Sequence, residues 1–137
     1  MKKYVLDASV VVGFLLKENQ AFDQLFKEIK MERKSGKAMV SSSPLLVSEV
    51  ANALRYKIIS GVEAKDLYES FLKLGIENYL LNSLDWCDIL TQSYELGTAV
   101  YDTSYHKVAK LLGATLFTGD KVYYQKAKDL GSIELIS

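Results

Sequence analysis

Short apolar segments punctuate the chain at residues 4–6, 38–40, 79–81, 114–117 and 133–136. Each is too brief for a stable helix, so each is expected to be a strand. Between them, apolar residues recur with the helical period over residues 9–17, 21–34, 44–59, 63–74, 83–96, 102–112 and 121–130, which predicts seven amphipathic helices. Ser43-Pro44 offers a cap followed by proline at the first helical position, and Ser9 offers a cap for the first helix. Gly61 and Gly75 are expected to end their helices, while Gly113 and Gly131 separate a helix from the next strand. Alternation of strand and helix argues for a parallel sheet covered on both faces. In such sheets ligands bind beyond the carboxyl ends of the strands. Asp7 stands at one such end and Asp120 just past another.

Composition narrows the class. At 137 residues the chain is expected to form one domain over residues 1–137. A 49% hydrophobic, 25% charged composition with one proline excludes a disordered or collagen-like chain. Seventeen basic residues cancel seventeen acidic ones, so overall charge does not announce a polyanionic partner. A single cysteine, Cys87, cannot form an intramolecular disulfide, and with one histidine, His106, a Cys/His zinc site is excluded as well. A reducing, cytoplasmic location is the expectation. The apolar run over residues 10–16 is far shorter than a membrane span, so no membrane association and no targeting segment are expected.

Four acids stand where charge is expensive. Asp7 interrupts the apolar run "YVLDASVVVG", and a buried carboxylate must be neutralised, hydrogen-bonded or metal-bound. Glu49, in "SPLLVSEVANALRYK", lies beside the apolar stripe of Leu46, Val50, Ala53 and Leu54. Asp102, in "AVYDTSYHKVA", opens a helix, and Asp120 sits in "TGDK". Singly, each has an ordinary reading: Asp7, Asp102 and Asp120 as helix caps, Glu49 as a solvated helix residue. Together they converge if the sheet brings them to its carboxyl edge. Four clustered carboxylates repel one another unless a cation joins them, and oxygen-only ligation suits Mg²⁺ or Mn²⁺. Phosphodiester hydrolysis by metal-assisted attack of water is the chemistry such a site supports.

The segments "YVLDASV", "SEVANAL", "YDTSYHKVA" and "FTGD" resemble the four-acid pattern of PIN-domain ribonucleases, especially the VapC-type toxins of toxin-antitoxin pairs. The match runs in order along nearly the whole chain. It implies a three-layer α/β/α sandwich with a five-stranded parallel sheet of order 3-2-1-4-5, making Asp7 and Asp120 neighbours. By resemblance Asp7, Glu49, Asp102 and Asp120 are the metal-binding and catalytic acids, with Ser9 and Thr118 holding the site. Asn52 matches a polar position on the same helix face as Glu49. Thr103 stands where alanine is commoner in relatives, and Gly119 fills the family's T-x-D spacing. The resemblance also implies an RNA substrate, a small antitoxin partner and a homodimer. A non-catalytic PIN-fold RNA-binding or assembly module, or a housekeeping RNA-processing nuclease, is the alternative. A phosphoacceptor receiver domain and a D-x-D phosphatase are disfavoured, because Ala8 and Ser9 follow Asp7 where a second acid is needed.

Other residues are weighed more lightly. Arg55 and Lys121 are candidate phosphate contacts, with Lys107 behind them and Lys57 expected to be an ordinary surface lysine. Arg55 can instead pair with an antitoxin carboxylate. His106 is expected to be structural, Cys87 to be packed, and Asp85 and Asp88 to form a solvated helix face. Most of Tyr101, Tyr105, Tyr123 and Tyr124 are expected in the core, with base stacking the other use. The helices over residues 44–74 carry enough apolar residues for a dimer interface, which core packing explains equally well.

Overall fold

The computed structural model describes residues 1–137. Strands β1 (Lys2–Leu6), β2 (Ala38–Ser42), β3 (Glu77–Asn78), β4 (Thr115–Thr118) and β5 (Ile133–Leu135) form one sheet, all parallel, in the order β3-β2-β1-β4-β5. Helices α1 (Ala8–Leu15) and α2 (Gln20–Lys34) connect β1 to β2, and α3 (Leu46–Lys57) and α4 (Gly61–Leu72) connect β2 to β3. Helices α5 (Ser83–Leu96) and α6 (Val100–Leu112) lead back to β4, and α7 (Lys121–Ala127), with a 3₁₀ turn at Lys128–Leu130, leads to β5. The chain steps from β1 out to β3 and then crosses back. Right-handed crossovers therefore put α1 to α4 on one face and α5 to α7 on the other. Helix α2 packs on β2 and α1 on β4, while α6 lies over β1, β2 and β4 with α5 against it. This is the three-layer α/β/α sandwich of order 3-2-1-4-5 that the sequence predicts.

Covering both faces explains why the central strand reads as an unbroken apolar run. Tyr4, Val5 and Leu6 are buried and join Val10, Val11, Leu116 and Phe117 in one core cluster. Strand register then decides which chain ends meet. Leu6 pairs with Phe117, so the chain leaves β1 at Asp7 directly beside Thr118 at the end of β4.

Several boundaries differ from expectation for local reasons. The segment at 79–81 is not strand: β3 pairs only Glu77 and Asn78 with β2, because β2 ends at Ser42 just before Pro44. Its apolar character reflects burial of Leu81 instead. Gly61 does not end a helix but begins α4, whose cap Ser60 accepts a hydrogen bond from the Glu63 amide at 3.3 Å. Helix α3 starts two residues after Pro44, with Ser43 organising the preceding turn through the Leu45 amide. The cap of α1 is Asp7 rather than Ser9. Cys87 is exposed, not packed, because it lies on the outer side of α5. No helix is long and apolar enough to cross a membrane.

Candidate active site

Asp7 is the hub of the carboxyl edge. It is 4% exposed, and its Oδ1 accepts from Ser9 Oγ at 2.5 Å and from the Val10 amide at 3.1 Å. Its Oδ2 accepts from the Thr118 hydroxyl. Ser9 Oγ in turn accepts from the Gly119 amide at 2.8 Å, and Thr118 Oγ1 from the Asp120 amide at 3.0 Å. Two hydroxyls thus tie the end of β1 to the loop after β4. On the other side Ser42 Oγ donates to the Leu6 carbonyl at 2.6 Å. Ser9 and Thr118 hold Asp7 through these contacts.

The remaining acids stand at the starts of helices. Asp120 caps α7, accepting from the Tyr123 amide at 3.0 Å. Glu49 and Asp102 lie in the first turns of α3 and α6. Asp102 is no cap, because α6 begins earlier, at Val100, and its carboxylate makes no protein hydrogen bond. Glu49 Oε1 accepts from the Tyr105 hydroxyl at 2.8 Å. All four acids therefore sit at helix N-termini, where the backbone dipoles favour negative charge.

Burial and neighbouring charges raise three of the acids. Burial, then the charges of Asp120, Asp7 and Glu49, push the Asp102 carboxyl up to about 7. Burial also raises Asp7, opposed by its bonds to Ser9, Thr118 and Val10 and reinforced by Asp120. Glu49 is raised by burial, lowered by the Tyr105 bond and raised again by Asp7. No cationic side chain offsets them: the ion pairs of the structure are Lys57–Glu18, Lys65–Glu69 and Lys107–Asp88. This all-oxygen, uncompensated donor set fits a hard divalent cation. It is an open cluster, since no three His, Cys, Asp or Glu side chains are arranged to hold one ion among them. Mg²⁺ commonly engages only one or two carboxylates and keeps its remaining waters, so an open cluster suits it.

Comparison with solved structures places this arrangement among known folds. PAE2754 from Pyrobaculum aerophilum superposes with a TM-score of 0.66 at 24% identity, over 93% of this chain and 87% of that one. VapBC2 from Rickettsia felis, bound to a DNA fragment from its promoter, gives 0.71 at 15% identity over 98% and 99%. The fold is PIN-like. VapBC-1 from nontypeable Haemophilus influenzae matches this chain with a TM-score of 0.62 at 16% identity over 97% of both chains. No protein-family model and no curated protein matches the sequence significantly.

Around the acids of this PIN-like fold, the other expected residues divide. Asn52 is exposed and makes no hydrogen bond to the acids. Arg55 is exposed, with its guanidinium 5.6 Å from the centre of the Tyr56 ring, and Lys121 is exposed beside Asp120. Lys57 and Lys107 are engaged in ion pairs, the latter with Asp88 at 3.2 Å, so Asp88 is not merely solvated. Asp85 completes a capping box with Asn82. Thr103 fills its position by bonding the Ala99 carbonyl at 3.0 Å, closing the first turn of α6.

His106 is structural. It is 1% exposed, with Nε2 2.7 Å from the Gly131 carbonyl and Nδ1 2.8 Å from the Tyr123 hydroxyl. A carbonyl only accepts, so Nε2 carries the proton and Nδ1 receives the Tyr123 hydroxyl. Burial lowers its pKa, which favours this neutral form. Two contributors to the site are not evident from the sequence. Tyr105 reads there as one core tyrosine among several, although its place three residues after Asp102 puts it on the same helix face. Phe22 gives no signal at all: a Cβ on Gly119 would lie 2.9 Å from its ring, and one on Gly13 only 2.3 Å.

Proposed function

We propose that this chain is a divalent-metal-dependent endoribonuclease, the toxin of a VapC-type toxin-antitoxin pair acting in the cytoplasm. The observation that carries this reading is the half-buried Asp102 carboxylate with Asp7, Glu49 and Asp120 around it, none of them paired with a cation, in a fold shared with VapBC structures. Asp7, Glu49, Asp102 and Asp120 would hold Mg²⁺ or Mn²⁺. When bound, the ion supplies a more acidic water and neutralises charge at the scissile phosphate. Asp102, whose carboxylate accepts no hydrogen bond from the protein, has an oxygen left to orient the attacking water and take its proton. The water oxygen would bond to phosphorus as the bond to the leaving ribose oxygen breaks, and that oxygen would take up a proton from solvent water. Ser9 and Thr118 keep Asp7 fixed throughout. Arg55 and Lys121 contact the RNA phosphates. A small antitoxin restrains the enzyme. A homodimer forms through the turn between α3 and α4, where Tyr56, Ile59 and Val62 are exposed.

Purified protein incubated with RNA and Mg²⁺ is expected to cleave it, and EDTA or Asp7→Asn to lower the rate by at least about 100-fold. Cleavage that persists in either control overturns the mechanism. A second reading, a non-catalytic PIN-fold RNA-binding module, draws on the lack of a preformed three-ligand arrangement. Calorimetry showing no Mn²⁺ binding near neutral pH would favour it.

A further inference from the structure

Three of the four acids need little help to stay in place. Asp7 and Asp120 are pinned by backbone amides, and Asp102 has a short side chain in the first turn of α6. Glu49 is different: its longer side chain has several free torsions and no backbone partner. Its single hydrogen bond comes from Tyr105, whose hydroxyl donates to Oε1 at 2.8 Å. Tyr105 is 1% exposed and joins the core cluster, so packing locks its ring on the same helix that carries Asp102. The hydroxyl is therefore a rigid anchor, and ordering a long side chain without one carries an entropy cost at the moment of binding.

We infer that Tyr105 is a positioning residue, which fixes the Glu49 carboxylate through Oε1 and leaves Oε2 free for the cation. The inference rests on the site being that of a metal-dependent ribonuclease. Outer-shell partners of this kind typically govern ligand orientation, and their loss costs about 10-fold or more in metal affinity or activity. Tyr105→Phe removes one oxygen and keeps the ring, so the fold is expected to survive.

The test is Mn²⁺ titration by calorimetry without RNA, alongside cleavage assays, on wild type, Tyr105→Phe, Glu49→Ala, their double variant and Glu49→Asp. Tyr105→Phe is expected to bind Mn²⁺ about 10-fold more weakly with unchanged circular dichroism. Added to Glu49→Ala, it is expected to cost nothing further. Glu49→Asp keeps the charge but falls short of the anchored hydroxyl, and should lose as much as Tyr105→Phe. Wild-type affinity in Tyr105→Phe overturns the inference, as does an equal extra loss in the Glu49→Ala background, which would mark a packing role. Should Tyr105→Phe fail to fold, wild-type affinity in Glu49→Asp overturns it instead. Wild-type protein that neither binds Mn²⁺ nor cleaves RNA refutes the proposed function and the inference with it, whereas active wild-type protein whose Mn²⁺ affinity is unchanged by Tyr105→Phe refutes the inference alone.

Discussion

Asp102 shows most plainly what a residue gives up to serve this site. It has no donor to stabilise its charge, and burial with three acidic neighbours holds its carboxyl near 7. An unfolded chain would release that proton near the ordinary value of 3.8. The folded state therefore binds the extra proton, and the associated stability is present in full below 3.8 and lost as pH rises through about 7. Asp102→Asn removes the loss by removing the charge. In EDTA, variant and wild type are expected to melt alike near pH 4 and to diverge as pH rises, with the variant melting higher above pH 7. Its RNA cleavage should meanwhile fall by at least about 100-fold. Identical melting at pH 8 would show that the repulsion is not felt. A gain in stability with a loss of activity is the pattern expected where a strained site is retained for its chemistry. Asp7 contrasts with this, because three donors satisfy its carboxylate.

Elements, rather than single residues, decide whether these acids meet. The loop after β4 passes close to α2, and a methyl group on Gly119 would press on the Phe22 ring and lie 3.4 Å from Ser9 Oγ. Gly119→Ala is expected to destabilise the protein by about 1–3 kcal/mol through overpacking and to weaken cleavage by displacing Asp120. Phe22→Leu in the same chain should recover part of both, as read by urea unfolding and by cleavage rate. Failure of the second change to help would put the crowding elsewhere. Helices α6 and α7 are held together further from the edge by His106, which spans Tyr123 and Gly131. How much of this is readable in the chain depends on the range of each contact. Periodicity and the ends of apolar runs are local properties, so the alternation of strand and helix and the positions of Asp7 and Asp120 can be read directly, and the strand order comes with the four-acid resemblance. Tyr79 to Leu81 misleads because an apolar run reports burial, whereas a strand also needs a neighbour still extended beside it. Phe22 against Gly119 and Tyr105 with Glu49 are contacts between distant segments, fixed only once both faces of the sheet are covered.

For the molecule as a whole, a net charge of zero conceals an uneven distribution. Four acids share one edge without a paired cation, and Asp7, Glu49 and Asp102 all have raised carboxyl pKa values, primarily from burial. Each raised acid contributes stability at low pH that disappears as it ionises in the folded state, so the metal-free protein is expected to weaken from mildly acidic to mildly alkaline pH. On the proposed function, a divalent cation would oppose that dependence. It would bind the ionised carboxylates in competition with protons, so its affinity is expected to rise over the pH range in which the metal-free fold loses stability. At about 100 times its dissociation constant, Mn²⁺ should add about 2.7 kcal/mol, or roughly 10 °C in melting temperature for a chain of this size. The rise should be large at pH 8 and small at pH 5, and Asp7→Asn should reduce it at pH 8. Thermal melts with Mn²⁺ and with EDTA at the two pH values check this. An equal rise at both, or one indifferent to Asp7→Asn, would place the binding away from the acidic edge. A rise confined to alkaline pH and dependent on Asp7 would tie it to the ionised carboxylates there, because proton competition and sensitivity to Asp7 would not coincide at an unrelated surface site.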